Sequence, residues 1–146
     1  MSITTRLVQN QEDRDAVFEV RRSVFVDEQG VPAANEYDEF EDTAQHLLAL
    51  SGQVPVGAGR LRVVDGVAKL ERICILADYR KLGIGKIIVE AMEQAAAAQG
   101  LASAKLNAQT QAEGFYSKLG YRTVSDIFFE EGMPHVTMTK LLAHRA

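Results

Sequence analysis

The stretch Asp78-Tyr79-Arg80-Lys81-Leu82-Gly83-Ile84-Gly85-Lys86-Ile87 sets two glycines and three cations between an apolar run and a helical pattern. Without a Cβ to block the approach, the backbone N–H groups around positions 83 and 85 turn inward together. A helix starting behind them offers its unpaired first-turn amides and the positive end of its dipole. Strand, glycine turn and helix thus form an anion site suited to a phosphate or diphosphate, with Arg80, Lys81 and Lys86 adding mobile positive charge. Three phosphate-binding patterns compete for this turn. A G-x-x-x-x-G-K-[ST] loop fails twice, at Arg80 and Ile87, and a G-x-G-x-x-G fingerprint fails at Ile88. R-x-x-G-x-G fits, read as Arg80, Gly83 and Gly85. Alone it is a weak pattern, equally readable as a plain helix-start turn.

Outward from the turn, Ile84, Ile87, Ile88, Ala91, Met92 and Ala95 recur at helical spacing, so 84–99 reads as an amphipathic helix stopped by Gly100. Before the turn, 67–76 reads as a strand joined through the hairpin signal Asp65-Gly66 to a strand at 54–64, with another at 46–50. The N-terminal part reads as a strand at 3–8 and a helix from Gln11 to about Phe25, capped by Asn10. After that helix and before the strand at 46–50 lies DEQGVPAANEYDEFEDTAQ, acidic and broken by Gly30 and Pro32, which reads as a polar surface loop. After Gly100 come a strand at 103–108, a short helix at 112–119, and strands at 121–129 and 136–141. This order predicts one α/β domain over 1–146, a sheet with helices on its faces.

The chain has 146 residues, 47% of them hydrophobic and 25% charged, ordinary values for a soluble globular protein. A net charge of −4 argues against general nucleic-acid binding, which wants a basic face. No run approaches the roughly 18 apolar residues of a membrane span, and the N-terminus has no apolar leader. Cys74 is the single cysteine, so no internal disulfide forms and a cytoplasmic location is expected. Its apolar strand makes it a poor nucleophile. No metal site is assigned, and a homodimer is the commonest assembly for such a chain.

The segment LERICILADYRKLGIGKIIVEAMEQAAAAQG resembles the acyl-coenzyme A binding core of the GNAT acetyltransferase superfamily. LNAQTQAEGFYSKLGY is similar to the superfamily's second half, while RRSVFVDEQGVPAANEYDEFEDTAQH and GMPHVTMTK resemble its ElaA-like or YjcF-like branch. The resemblance implies a mixed, mostly antiparallel sheet of six or seven strands, splayed between the strands at 67–76 and 103–108. It implies acetyl-coenzyme A as donor: pantetheine amides paired with the backbone of Ile73, Cys74 and Ile75, the diphosphate on residues 82–86, and Asn107 reaching the pantetheine arm. A proline common in relatives is replaced here by Leu76-Ala77.

Acetyl transfer from a thioester to an amine needs a neutral amine, a stabilised oxyanion and a proton for the leaving thiolate. By resemblance, Tyr116 faces the coenzyme sulfur as general acid. Two bases stay open: His135, placed like the histidine of glyphosate-type acetyltransferases, and Glu71, on the strand where many relatives hold a glutamate acting through water. Arg21 and Arg72 match arginines that grip acidic acceptors in those relatives, but a third arginine of the set is Gln109 here. Alternatively Arg21 or Arg22 pairs with the acidic 36–42 loop, or that loop's acids attract a cationic amine. The expected activity is N-acetylation of a small primary amine. A coenzyme-binding sensor without turnover and a protein N-acetyltransferase are the rival readings.

Overall fold

A computed structural model describes residues 2–142. Leu47–Leu50 shows how the sheet is built: Leu47 and Ala49 enter the core on one face, Leu48 and Leu50 on the other, so this strand is apolar throughout. Strands β1 (Ile3–Leu7), β2 (Gln45–Ser51), β3 (Val54–Val64) and β4 (Val67–Ile75) form an antiparallel meander. Helix α3 (Ile84–Ala98) then crosses over, so that β5 (Ser103–Gln109) runs parallel to β4. β8 (Met133–Leu141) pairs antiparallel with β5, and the short β6 (Arg122–Thr123) and β7 (Phe128–Glu130) both pair with β8. Seven strands follow the order β1-β2-β3-β4-β5-β8-β6, and β7, also on β8, makes an eighth beside the six or seven expected.

Helix α1 (Gln11–Arg21) lies on one face and α3 on the other. Val17 and Val20 of α1, with Val24, bury against Leu48, Leu50, Ala58 and Cys74. Ile84, Ile88, Val89, Met92 and Ala96 of α3 bury against Leu47, Ala49, Val56, Leu61 and Leu70. Complete burial of each valine, leucine, isoleucine or methionine among them contributes about 1.5–3 kcal/mol before entropy is counted. Asn10 caps α1 as expected, its Oδ1 accepting from the Asp13 amide at 2.8 Å.

Three expectations change. The first helix leaves α geometry at Arg21 and continues as a π-helix, Arg22–Glu28, its widened turns seen in the Gln29 N–H donating to the Val24 carbonyl at 3.0 Å. The strand expected at 121–129 breaks in two because the Ser125 hydroxyl, rather than a backbone carbonyl, accepts the Thr137 amide at 2.8 Å. The acidic segment is a solvated loop only in part: residues 32–35, 39, 42 and 43 stay exposed, but it forms the short helix α2 (Ala33–Glu36) and buries Glu36 and Glu41.

Candidate active site

β4 and β5 pair over three positions only, Ala68–Leu70 with Ala104–Leu106, and then part. In the same strand, Ala58 faces Cys74 while Arg60 faces Glu71, so Arg72 and Ile73 bulge opposite Gly59, with Arg72 at φ +54. The bulge and the parting open a cleft of about 1070 Å³ lined by Ile73, Cys74, Ile75, Asn107, Tyr116 and His135, among others. The size suits a small-molecule site.

The glycine turn closes one end. A 3₁₀ turn at Ala77–Tyr79 leads through Arg80 and Lys81 to Gly83 at φ +81, a left-handed conformation glycine adopts without strain. Gly83 caps α3 with no side-chain hydrogen bond, and the first helical turn closes at the Ile87 N–H on the Gly83 carbonyl. The amides of the first turn are therefore left for another acceptor. A Cβ on Gly85 would stand 3.1 Å from the Phe115 ring, so this glycine lets the short helix α4 (Glu113–Lys118) close against the mouth of α3. Leu82 is exposed, as are Lys81 and Lys86, which form no ion pair among the described residues. Arg80 is not mobile as expected: its Nε donates to the Ile75 carbonyl at 3.0 Å and its two terminal nitrogens hold Glu28 on the π-helix.

Tyr116 packs edge-on between Phe115 and Tyr121, with ring centroids 5.0 and 5.9 Å away. Its hydroxyl has no hydrogen-bond partner among the described residues, and burial pushes its pKa up to about 12. It remains a proton donor through neutral pH. Cys74 turns into the α1 side of the core, where burial pushes the thiol up to about 12, so it is no nucleophile.

The structure separates the two base candidates. Glu71 is held by Arg60, Arg62 and Lys69 at 2.8–3.2 Å. Burial raises its pKa, but the Arg62 hydrogen bonds and the Arg60 charge outweigh this and leave it lowered. A carboxylate so compensated is a weak proton acceptor. His135, at the start of β8, lies with its Nδ1 at 2.8 Å from the Met133 carbonyl. A carbonyl only accepts, so Nδ1 carries the proton and neutral His135 keeps a lone pair on Nε2.

Arg21 is corrected as an acceptor-binding residue. It is wholly buried and donates to the carboxylates of Glu36 and Glu41 and the Glu36 carbonyl at 2.7–2.9 Å. No guanidinium edge is left for a substrate. Arg72 is partly exposed at the cleft and shares Glu36, at 3.1 Å. Gln109 reaches across the cleft to Gln29 at 3.2 Å and accepts from Gln111. Asn107 is engaged at both ends: Oδ1 accepts from the Thr137 hydroxyl at 2.9 Å, and Nδ2 donates to Glu130 at 3.2 Å. Arg60, Arg62 and Glu130 were not singled out by sequence reasoning, and Glu36, Asp38 and Glu41 entered it only as acids of the 36–42 loop. The hairpin register about Asp65-Gly66, which sets Arg60 opposite Glu71, was the available signal for Arg60.

A crossover helix with an open amide mouth beside two parted strands is the architecture of an acyl-transfer fold, and the family model for the acetyltransferase (GNAT) domain matches residues 8–142. The chain belongs to the GNAT acetyltransferase family. It is 49% identical over 135 residues to the uncharacterized N-acetyltransferase YjcF of Bacillus subtilis (strain 168), covering 92% of this chain and 96% of that one. A crystal structure from Lactobacillus plantarum superposes with a TM-score of 0.91 at 28% identity, over 98% of this chain and all of that one. The PaiA N-acetyltransferase of Thermoplasma acidophilum, solved in complex with coenzyme A, superposes with a TM-score of 0.72 at 21% identity, over 97% and 99% of the two chains.

Proposed function

We propose that the chain transfers an acetyl group from acetyl-coenzyme A to the primary amine of a small molecule, by direct attack in a ternary complex. One observation carries this reading: β4 and β5 part beside the mouth of α3, which has no side-chain cap among the described residues, and the Tyr116 hydroxyl, without a partner among those residues, lies in the same cleft. The residues present fit the coenzyme. Amides at 82–86, with Lys81 and Lys86 nearby, suit a diphosphate. The open edge of β4 at Ile73–Ile75 suits amides that add as a strand would. Coenzyme-bound acetyl supplies an activated acyl carbon and a thiolate leaving group.

His135 Nε2 takes a proton from the amine, and the Tyr116 hydroxyl gives one to the departing sulfur. For an amine arriving as R–NH3+, the products are the amide, the free thiol and one proton. Asn107, tied to Thr137 and Glu130, is assigned to the acceptor side rather than to the pantetheine arm. Calorimetric titration with coenzyme A, followed by thiol release from acetyl-coenzyme A with a panel of amines, tests the reading. Heat and amine-dependent thiol are expected. Absence of both overturns it, and binding without thiol release for any amine transfers the chain to the sensor class.

A further inference from the structure

We infer that Glu130 is the carboxylate that receives the acceptor, taking it as an alkylammonium ion and setting it against His135. The acceptor class is then a basic aliphatic amine. The inference rests on the reading of His135 as the base.

Five carboxylates line the cleft: Glu36, Asp38, Glu71, Glu130 and Glu131. The first three are ion-paired with arginines, so the two acids of the 36–42 loop that line the cleft, Glu36 and Asp38, are already matched by fixed cations. Glu130 and Glu131 have no arginine or lysine partner among the described residues. They sit together on the β7–β8 hairpin, but Glu131 turns to the cleft mouth and accepts from Asn35 at 3.2 Å. Glu130 alone faces the histidine.

The histidine supplies an independent sign of a missing partner. The His135 side chain is 9% exposed, its ring lies stacked near Phe128, and Nδ1 is fixed on Met133. Its Nε2 has no hydrogen-bond partner among the described residues and stands 4.0 Å from Glu130 Oε2. That gap is too long for a direct hydrogen bond. A nitrogen placed about 2.8 Å from each atom closes the triangle, donating one N–H to the carboxylate and one to the imidazole. The other carboxylate oxygen, Oε1, is held by Asn107, whose amide is oriented by Thr137. Asn107 and Thr137 are thus positioning residues for Glu130.

The chemistry balances. One N–H proton of R–NH3+ passes to His135 Nε2, and its bonding pair becomes the lone pair that attacks the acyl carbon. The carbon–sulfur bond breaks with its electron pair on sulfur, which takes the Tyr116 proton. A second N–H proton returns to the Tyr116 oxygen through solvent. The carboxylate favours the ammonium over neutral amines in this pocket and keeps it beside the group that must deprotonate it.

Titration of the full chain with propylammonium chloride, against 1-propanol at matched ionic strength, tests this by NMR of the Asn107 side-chain amide and the His135 imidazole. The expected result is a saturable shift with propylammonium, none with propanol, a Kd at least tenfold weaker in Glu130→Gln, and recovery in Glu130→Asp. Equal responses to both probes, or unchanged binding in Glu130→Gln, overturn the assignment. This readout needs no turnover, so it stands apart from the thiol-release test of the activity. In turnover, Glu130→Gln is expected to cut the ratio of kcat/KM for propylamine over aniline about tenfold, through KM. A parallel loss for both amines would mean hairpin packing only and would also overturn it.

Discussion

Tyr116 and His135 differ in how their protonation is arranged. Burial keeps the Tyr116 hydroxyl protonated, its pKa at about 12, while a carbonyl clamps one edge of His135 and leaves the other bare. In the proposed mechanism Tyr116→Phe therefore lowers kcat roughly a hundredfold, within the usual range for a lost acid–base group. Coenzyme affinity stays within a few-fold, because no hydrogen bond to another residue is removed. Thiol-release kinetics beside calorimetry check both halves. His135→Gln is expected to abolish the acidic limb of the kcat/KM profile. Glu71→Gln should keep that limb and instead lower the denaturation midpoint, since it strips Arg60 of a buried partner, a loss of about 3 kcal/mol. An intact acidic limb in His135→Gln would remove the histidine from the reaction. At this scale sequence reading brought Tyr116, His135 and the Ile73–Ile75 edge to one cleft, because motif residues carry their own chemistry. It left Arg21 between an acidic acceptor and the 36–42 acids, where the structure has it, because a guanidinium in a helix looks alike whether it faces a substrate or two glutamates.

Helix α3 and its turn illustrate the element scale. The apolar spacing from Ile84 to Ala95 foretold the helix, and the R-x-x-G-x-G pattern foretold its open mouth. The two glycines serve different purposes, and their substitutions separate them. Gly83→Ala leaves open space around the new methyl but forces φ +81 on a residue with a Cβ, a strain of about 1–2 kcal/mol. Gly85→Ala has ordinary helical backbone but drives a methyl to 3.1 Å from Phe115. Thermal unfolding should show the Gly83 variant less stable. Coenzyme A titration should show the Gly85 variant weaker by about tenfold or more, the ring being pushed away from the mouth. Equal affinity for Gly85→Ala and the unaltered chain would show that the close approach of Phe115 is irrelevant to binding. The π-helical stretch at Arg22–Glu28 was not legible, because Val20 and Val24 keep the four-residue spacing of α geometry into it. The break between β6 and β7 was equally hidden, since a serine hydroxyl took over a ladder hydrogen bond.

Across the whole molecule, Arg21, Arg60 and Arg62 lock α1, the 36–41 segment, β3 and β4 together through Glu36, Asp38, Glu41 and Glu71. Burial pulls the Glu41 carboxyl up, but hydrogen bonds from Arg21 and the Arg60 charge pull harder and set it at about 2. Its ordinary value is 4.5, so the folded state is the weaker proton binder. This contribution is complete above about pH 4.5 and is lost as pH falls towards 2; Asp38 and Glu71, also lowered, act in the same direction. Glu36, pushed up by burial, opposes them. Urea midpoints are expected to fall between pH 5 and pH 3, and Glu41→Gln should flatten that fall while lowering stability at pH 7 by about 3 kcal/mol. A slope unchanged by Glu41→Gln would place the acid sensitivity elsewhere. The sheet order was legible in outline, but this lattice joins residues too far apart in the chain for local pattern to pair them.

The three rungs between β4 and β5 have a mechanical consequence. Helix α3 leans on β1 to β4, so the two leaves of the sheet meet along a spine only three residues long, and at one end of it Ala68 faces Ala104. Both alanines are fully enclosed. Thickening either one would spread the leaves at their hinge line and reset the aperture between them, altering which occupants fit without touching any group that meets the reactants.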